Sequence, residues 1–182
     1  MVICLNCRSE KAAVRRPKTG DAVCRSCFLN LFETEVHRTI IAYNLFEPGE
    51  TVAIGVSGGK DSSVVLHVLD LLNQRYQYGV NLVMVAIDEG IVGYRDHSLE
   101  AVHDQQRKYK LPLKILSYDE LFGWTMDKVV ALTGKKGNCT YCGVFRRQSL
   151  EKGAVVMGAS KLVTGHNADD AAETVSVKLV IL

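Results

Sequence analysis

Thr51-Val-Ala-Ile-Gly-Val-Ser57-Gly-Gly-Lys-Asp61-Ser62 is the stretch on which the reading of this chain turns. An apolar, β-branched run meets two adjacent glycines and then a hydroxyl and charged cluster, the pattern of a buried strand, a tight turn and a helix start. Gly58 and Gly59 permit the turn and leave backbone N–H groups free to face an anion. Ser62 is expected to cap the helix whose positive dipole end points at the same place. The Walker A motif has four residues between its first glycine and Gly-Lys, with Ser or Thr next. Here three residues separate Gly55 from Gly59 and Asp61 follows Lys60, so that reading fails. A carboxylate in a phosphate loop repels phosphate unless a cation bridges them, so Asp61 suggests Mg²⁺ beside the phosphates. Ser-Gly-Gly alone would be an ordinary Gly-rich turn; the whole string after an apolar strand points to phosphate binding.

Working outward, the spacing predicts a helix over 62–74, a strand over 82–87, a polar helix around 97–109 and a strand over 113–117. Helices follow around 119–132 and 145–157, then a short strand over 161–164 and a last helix from Asp169 onward. Strands alternating with helices imply right-handed crossovers, so the fold class is α/β with an open parallel sheet. Such sheets bind ligands beyond the carboxyl ends of their strands. The segments 57–62, 88–93 and 165–170 sit at three such ends and are candidates for one site.

The chain has 182 residues, 47% hydrophobic and 23% charged, with a net charge of +2, which excludes disordered and fibrous classes. No run of about 18 apolar residues encodes a membrane span, and the N-terminus lacks the apolar core of a signal peptide. All six cysteines fall in C-x-x-C pairs: Cys4/Cys7, Cys24/Cys27 and Cys139/Cys142. Without a secretion signal this reads as metal or redox chemistry rather than disulfides.

The first four cysteines have the spacing of a Cys₄ zinc site, whose ion would supply folding energy that residues 1–28 lack. Leu29, Phe32, Val36, Ile40, Ile41 and Phe46 then predict an amphipathic helix ended by Pro48-Gly49. The expected division is therefore 1–48, a zinc module and linking helix, and 49–182, the domain that carries the phosphate loop. Arg8, Lys11, Arg15, Arg16, Lys18 and Arg25 against Glu10 and Asp21 give the first segment a local +4. That charge is either a solvated face or a phosphate-backbone contact to nucleic acid. Cys139 and Cys142 are expected on a Gly-flanked turn leading into a helix. Redox disulfide, metal ligation, sulfur carriage or simple burial all remain open for them. Lys128, Lys135, Lys136, Arg146, Arg147 and Lys152 form a second basic patch nearby.

The string S-G-G-K-D-S resembles the PP-loop of ATP pyrophosphatases. The resemblance implies that Ser57, Gly58, Gly59, Asp61 and Ser62 hold the pyrophosphate part of ATP, with Gly55 and Ile87 near the nucleotide through their backbones. Together with the Cys₄ module, C-T-Y-C-G (139–143) and T-G-H-N-A-D-D-A-A-E-T (164–174), it resembles the tRNA 2-thiolation family in its cytoplasmic form. The connecting strings at 86–96 and 121–127 also resemble that family. The resemblance implies adenylation by ATP of the C2 oxygen of a wobble uridine, then sulfur replacement from a ubiquitin-like thiocarboxylate carrier. It implies Cys139 and Cys142 as two of three ligands of a [4Fe–4S] cluster, Arg146 near the phosphates, Gly165 on the nucleotide and Asp170 as a catalytic or Mg²⁺-organising carboxylate. Asp169 would start a helix, and His166 and Asn167 would be capping or chemical residues. Implied partners are tRNA, the sulfur carrier and a second thiolation subunit or second copy, in the cytoplasm and without a membrane.

The sequence departs from the family in two places. No third cluster cysteine remains after the two assigned sites, and Val175–Leu182 replaces a helix that the family ends in L-R-G-D. The expectation is a form shortened at its C-terminus. The alternative to an active thiolase is a product that keeps zinc, ATP and tRNA binding without catalysis.

Overall fold

The computed structural model describes residues 2–134, 137–167 and 169–170. They fall into two compact units, Met1–Glu47 and Pro48–Leu182.

In the first unit, strands β1 (Val14–Arg15) and β2 (Ala22–Val23) pair antiparallel, Val14 opposite Val23. Helix α1 (Arg25–Ala42) follows. The buried core consists of Cys4, Val23, Cys24 and Cys27, with Phe28 and Leu31 packed against it. Three of those four core residues are thiols, too little apolar material to hold the unit by burial alone. The ion pair from Arg16 to Glu35 (2.7 Å) ties the hairpin to α1, and that hydrogen bond holds the Glu35 carboxyl below the usual range. The helix differs from the expected one: it starts at Arg25, directly after Cys24 and four residues before Leu29, and ends at Ala42. Asn44 adopts a positive φ of 47°, so the backbone leaves the helix before Pro48-Gly49 is reached. Of the expected apolar stripe Ile40 is buried, whereas Leu29 and Ile41 are exposed.

In the second unit, β3 (Thr51–Val56), β4 (Asn81–Asp88), β5 (Leu113–Ser117) and β6 (Lys161–Val163) form one parallel sheet in the order β5-β4-β3-β6. Helix α2 (Lys60–Tyr76) links β3 to β4, and α3 (Arg95–Tyr109) links β4 to β5. Both crossovers step in the same direction and lie on one face. The chain then runs through α4 (Tyr118–Phe122), α5 (Met126–Thr133) and α6 (Asn138–Val156) and returns to β6, on the far side of β3. Ala53, Val83 and Val85 pack on Leu150 and Ala154 of α6. Val52, Ile54 and Met84 alternate with them, are fully buried and belong to the opposite face.

Three helices depart from the expected limits. The segment 119–132 is two helices rather than one. Gly123, with φ +70°, closes α4, and Thr125 opens α5 by accepting the Lys128 N–H at 3.2 Å. Helix α6 begins at Asn138 instead of 145, so Cys139 and Cys142 lie within its first turns rather than on a turn before it. Gly137, at φ +79°, makes the abrupt entry possible. Ser62 does not cap α2: the cap position is Gly59, and no side chain fills it. The last expected helix is described only at Asp169 and Asp170; its remainder and the tail from Val175 lie outside the described residues, as do Lys135 and Lys136.

Gly153 sets the approach of α6 to the sheet. A Cβ there would collide with Val85 Cγ1 and come within 3.2 Å of Leu116 Cδ1. Gly153→Ala is expected to lower stability by about 1–3 kcal/mol through overpacking, read as a lower urea midpoint with an unchanged slope.

Candidate functional site

The order of the sheet reverses between β3 and β6, and an open α/β sheet forms its binding crevice at such a switch point. The loop leaving β3 turns through Gly58, at φ +73°. A Cβ on Gly58 would stand 2.9 Å from Ala101 Cβ and from the Ser98 carbonyl, so α3 packs directly on the turn. Ser62 braces the loop from inside the helix: its Oγ accepts the Ser57 N–H at 3.2 Å and donates to the Gly59 carbonyl at 3.1 Å. The Ser57 hydroxyl accepts the Gly59 N–H at 3.3 Å. The first N–H groups of α2 therefore face the mouth of the loop in a pre-set geometry, which is the chemistry of an anion site. Asp61 is exposed at the same mouth.

The loop after β6 supplies the opposite wall. A Cβ on Gly165 would lie 2.9 Å from the Ser62 nitrogen and 3.0 Å from the Asp61 carbonyl carbon, so the two loops touch backbone to backbone. Asn167 and Asp170 then close a reciprocal cap. Asn167 Oδ1 accepts the N–H of Asp169 (2.8 Å) and of Asp170 (3.0 Å), and Asp170 Oδ2 accepts the Asn167 N–H at 2.8 Å. Asn167 is thus a capping residue, and His166 Nδ1 meets Thr164 Oγ1 at 3.0 Å.

A cleft of about 210 Å³ lies between these walls. It brings together Gly55, Ser57, Asp61, Ser62, Ile87, Arg146, Gly165 and Asp170, eight residues expected from the sequence. Gly58 and Gly59 belong to the loop but do not line it. Cys142 approaches through Arg146, whose Nη2 is 3.6 Å from Cys142 Sγ; Cys139 is exposed on the preceding turn.

Sequence reasoning placed Glu89 in the candidate segment 88–93 but gave it no role. It is 91% withdrawn from solvent at its side chain and accepts Arg146 Nη2 at 2.6 Å. Burial alone would lower Arg146, but the charges of Cys142 and Glu89 outweigh it and hold the guanidinium above its ordinary value. Beside it Asp88 pairs with Arg95 at 2.6 Å. Tyr118 was missed: fully buried, it donates to the Cys142 carbonyl at 3.1 Å, and burial first, then Cys142, pushes its hydroxyl above the usual phenol range. The acidic dipeptide at the carboxyl end of an apolar strand was the one available signal for Glu89. The second basic patch is in part internally paired, through Arg146 to Glu89 and Lys128 to Asp119.

In the first unit Cys4, Cys7, Cys24 and Cys27 gather their four sulfurs within 4.8 Å of one another. A tetrahedral ion with bonds of about 2.3 Å separates its sulfurs by about 3.8 Å, and Cys7 Sγ lies 3.9 Å from Cys24 Sγ. The four thiols therefore fit a single metal ion. Asn6 Nδ2 donates to Cys27 Sγ at 3.2 Å, and hydrogen bonding from Ser9 pulls Cys7 down to about 6. Arg8, Lys11, Arg15, Lys18 and Arg25 are exposed, whereas Arg16 is buried against Glu35.

A family model described as a PP-loop domain matches residues 31–181. The chain is 59% identical over 177 residues to a protein of Laccaria bicolor named cytoplasmic tRNA 2-thiolation protein 1, covering 97% of this chain and 50% of that one. It is 56% identical over 179 residues to the Danio rerio protein of the same name, covering 98% of this chain and 52% of that one. The chain thus spans about half the length of the curated relatives it matches. Its structure is similar to that of the U34-tRNA thiolase NcsA from Methanococcus maripaludis, solved with its [4Fe-4S] cluster. The TM-score is 0.80 at 28% identity, over 99% of this chain and 58% of that one. With a phosphate loop leaving β3 at the switch point, and a family model that takes in most of the sequence, this chain belongs to the PP-loop domain family.

Proposed function

We propose that this chain carries the nucleotide-binding core and N-terminal metal module of an ATP-dependent tRNA 2-thiolase acting on wobble uridine in the cytoplasm. The observation that carries the reading is the convergence of Ser57, Asp61, Ser62, Arg146, Gly165 and Asp170 on one cleft, with Cys142 reached through Arg146. The similarity to named tRNA 2-thiolation proteins and to a U34-tRNA thiolase supports it.

In this reading residues 49–182 bind ATP. The start of α2, entered through the turn that Gly58 and Gly59 permit, receives the pyrophosphate part, Ser57 and Ser62 hold the loop in shape, and Asp61 recruits Mg²⁺. The backbones of Gly55, Ile87 and Gly165 border the nucleotide. Arg146 offsets charge on the phosphates, and Asp170 organises the metal or the reacting groups at the opposite wall. The uridine C2 oxygen attacks the α-phosphorus, pyrophosphate leaves, and sulfur then displaces AMP from C2. The sulfur comes from a ubiquitin-like carrier with a C-terminal thiocarboxylate. Cys139 and Cys142, one helical turn apart, provide two ligands of a [4Fe–4S] cluster, which when bound would hold sulfur for transfer. Residues 1–48 hold Zn²⁺ at Cys4, Cys7, Cys24 and Cys27, because the sulfurs sit closer together than those around a four-iron cube. Their exposed basic residues meet the tRNA backbone. A second subunit or second copy of the chain completes the assembly.

ATP binding with excess Mg²⁺, measured by titration calorimetry, is expected to weaken about tenfold or more in Asp61→Ala and in Ser62→Ala. Affinity unchanged in both would sink the phosphate-loop assignment. For the first unit, elemental analysis is expected to find about one zinc per chain, lost in Cys24→Ser. A chelator should then unfold residues 1–47 while the 49–182 domain keeps its melting transition. Iron in place of zinc, or a first unit that stays folded without metal, would overturn the zinc reading.

A further inference from the structure

Glu89 presents a physical problem. A carboxylate buried to 91% of its side chain sits on the lining of a cleft read as receiving the phosphates of ATP, where its own charge is repulsive. A partly buried ion pair adds little net stability, since desolvation offsets most of the attraction. The residue is nevertheless held with care. Its carbonyl accepts the Met126 N–H at 2.9 Å. The next residue, Gly90, takes φ +69° with its N–H on Asp88 Oδ1, and a Cβ there would stand 2.6 Å from Thr125 Cγ2. Backbone bonds and close packing from α5 thus fix where the Glu89 carboxylate points. What it grips is Arg146, a long side chain 45% exposed and on a helix, which alone would sample many rotamers.

We propose that Glu89 is a positioning residue: it pins the Arg146 guanidinium at the junction of the nucleotide cleft and the Cys142 thiol. Arg146 Nη2 is 2.6 Å from Glu89 Oε1 and 3.6 Å from Cys142 Sγ, so one anchored group borders both sites. An arginine held in place before ligand arrives loses less conformational freedom on binding, and that preorganisation raises affinity. The proposal rests on the nucleotide reading above and adds to it a reason for the buried acid.

The test is a double-mutant cycle on ATP affinity, with excess Mg²⁺, in wild type, Glu89→Gln, Glu89→Ala, Arg146→Ala and Glu89→Ala/Arg146→Ala. Glu89→Gln keeps the shape of the side chain and guards against a folding artefact, checked by its melting temperature. Both Glu89 variants are expected to bind ATP about tenfold more weakly, about 1.4 kcal/mol. In the Arg146→Ala background Glu89→Ala should cause no further loss, because its role runs through the missing guanidinium. A merely structural role would give additive losses in the double variant, and simple repulsion would give tighter binding in Glu89→Gln; either result overturns the proposal. If wild type binds no ATP, the nucleotide reading fails and the proposal falls with it. If wild type binds and Glu89→Gln binds equally well, only the positioning role fails.

Discussion

The pairing of β3 with β6 is the constraint on which the candidate site depends. Three register pairs, Val52 with Lys161, Ala53 with Leu162 and Ile54 with Val163, set the end of β6 opposite Ile54, two residues short of the end of β3 at Val56. From there the chain leaves β3 into α2, while the crossover that brought it to β6 came through α6 on the other face. Two loops that separate on leaving adjacent strands open a crevice, and Gly165 limits its width. Because Gly165 has no side chain, its backbone lies against the first turn of α2 at Asp61 and Ser62. A larger residue there would push the phosphate loop out of register with everything opposite.

Charge at the end of β4 follows a consistent pattern. Carboxylates at the end of β4 are buried, and each is matched by an arginine from a helix: Asp88 by Arg95 and Glu89 by Arg146. Breaking such a pair from one side leaves an uncompensated buried charge, which costs far more than the intact pair contributes. The effect is to tie α3 and α6 to the same strand end from their separate elements. The aromatic cluster of Tyr118, Phe122 and Phe145, stacked at 4.7 Å between the two phenylalanines, packs with Cys142 on the other side of that junction. The first unit solves a different problem. Its buried core is mostly sulfur, and its four thiols are gathered where one shared cation would replace the apolar burial that so short a segment cannot provide.

Much of this was legible in local pattern. The limits of β3 and β5 follow from apolar runs bounded by turn residues, and the Cys₄ set follows from spacing alone. Eight of the residues expected around the nucleotide do meet on one cleft. The misreadings have local causes too. One helical period running through 119–132 hid the break, because Gly123 and Thr125 act through φ and a side-chain cap rather than through hydrophobicity. The early start of α6 was masked by glycines that read as turn residues, although only Gly137 takes a positive φ at that point.

The sequence by itself determined the parallel α/β plan, the phosphate loop and the Cys₄ set, because each is written in residues close together along the chain. Only the tertiary structure decided that Glu89 holds Arg146, 57 residues away, that Tyr118 supports Cys142, and that Arg16 is spent on Glu35 instead of facing outward. Those partners are chosen by the crossing of strands and helices. No local propensity reports which distant charge a buried carboxylate will meet once the sheet has formed.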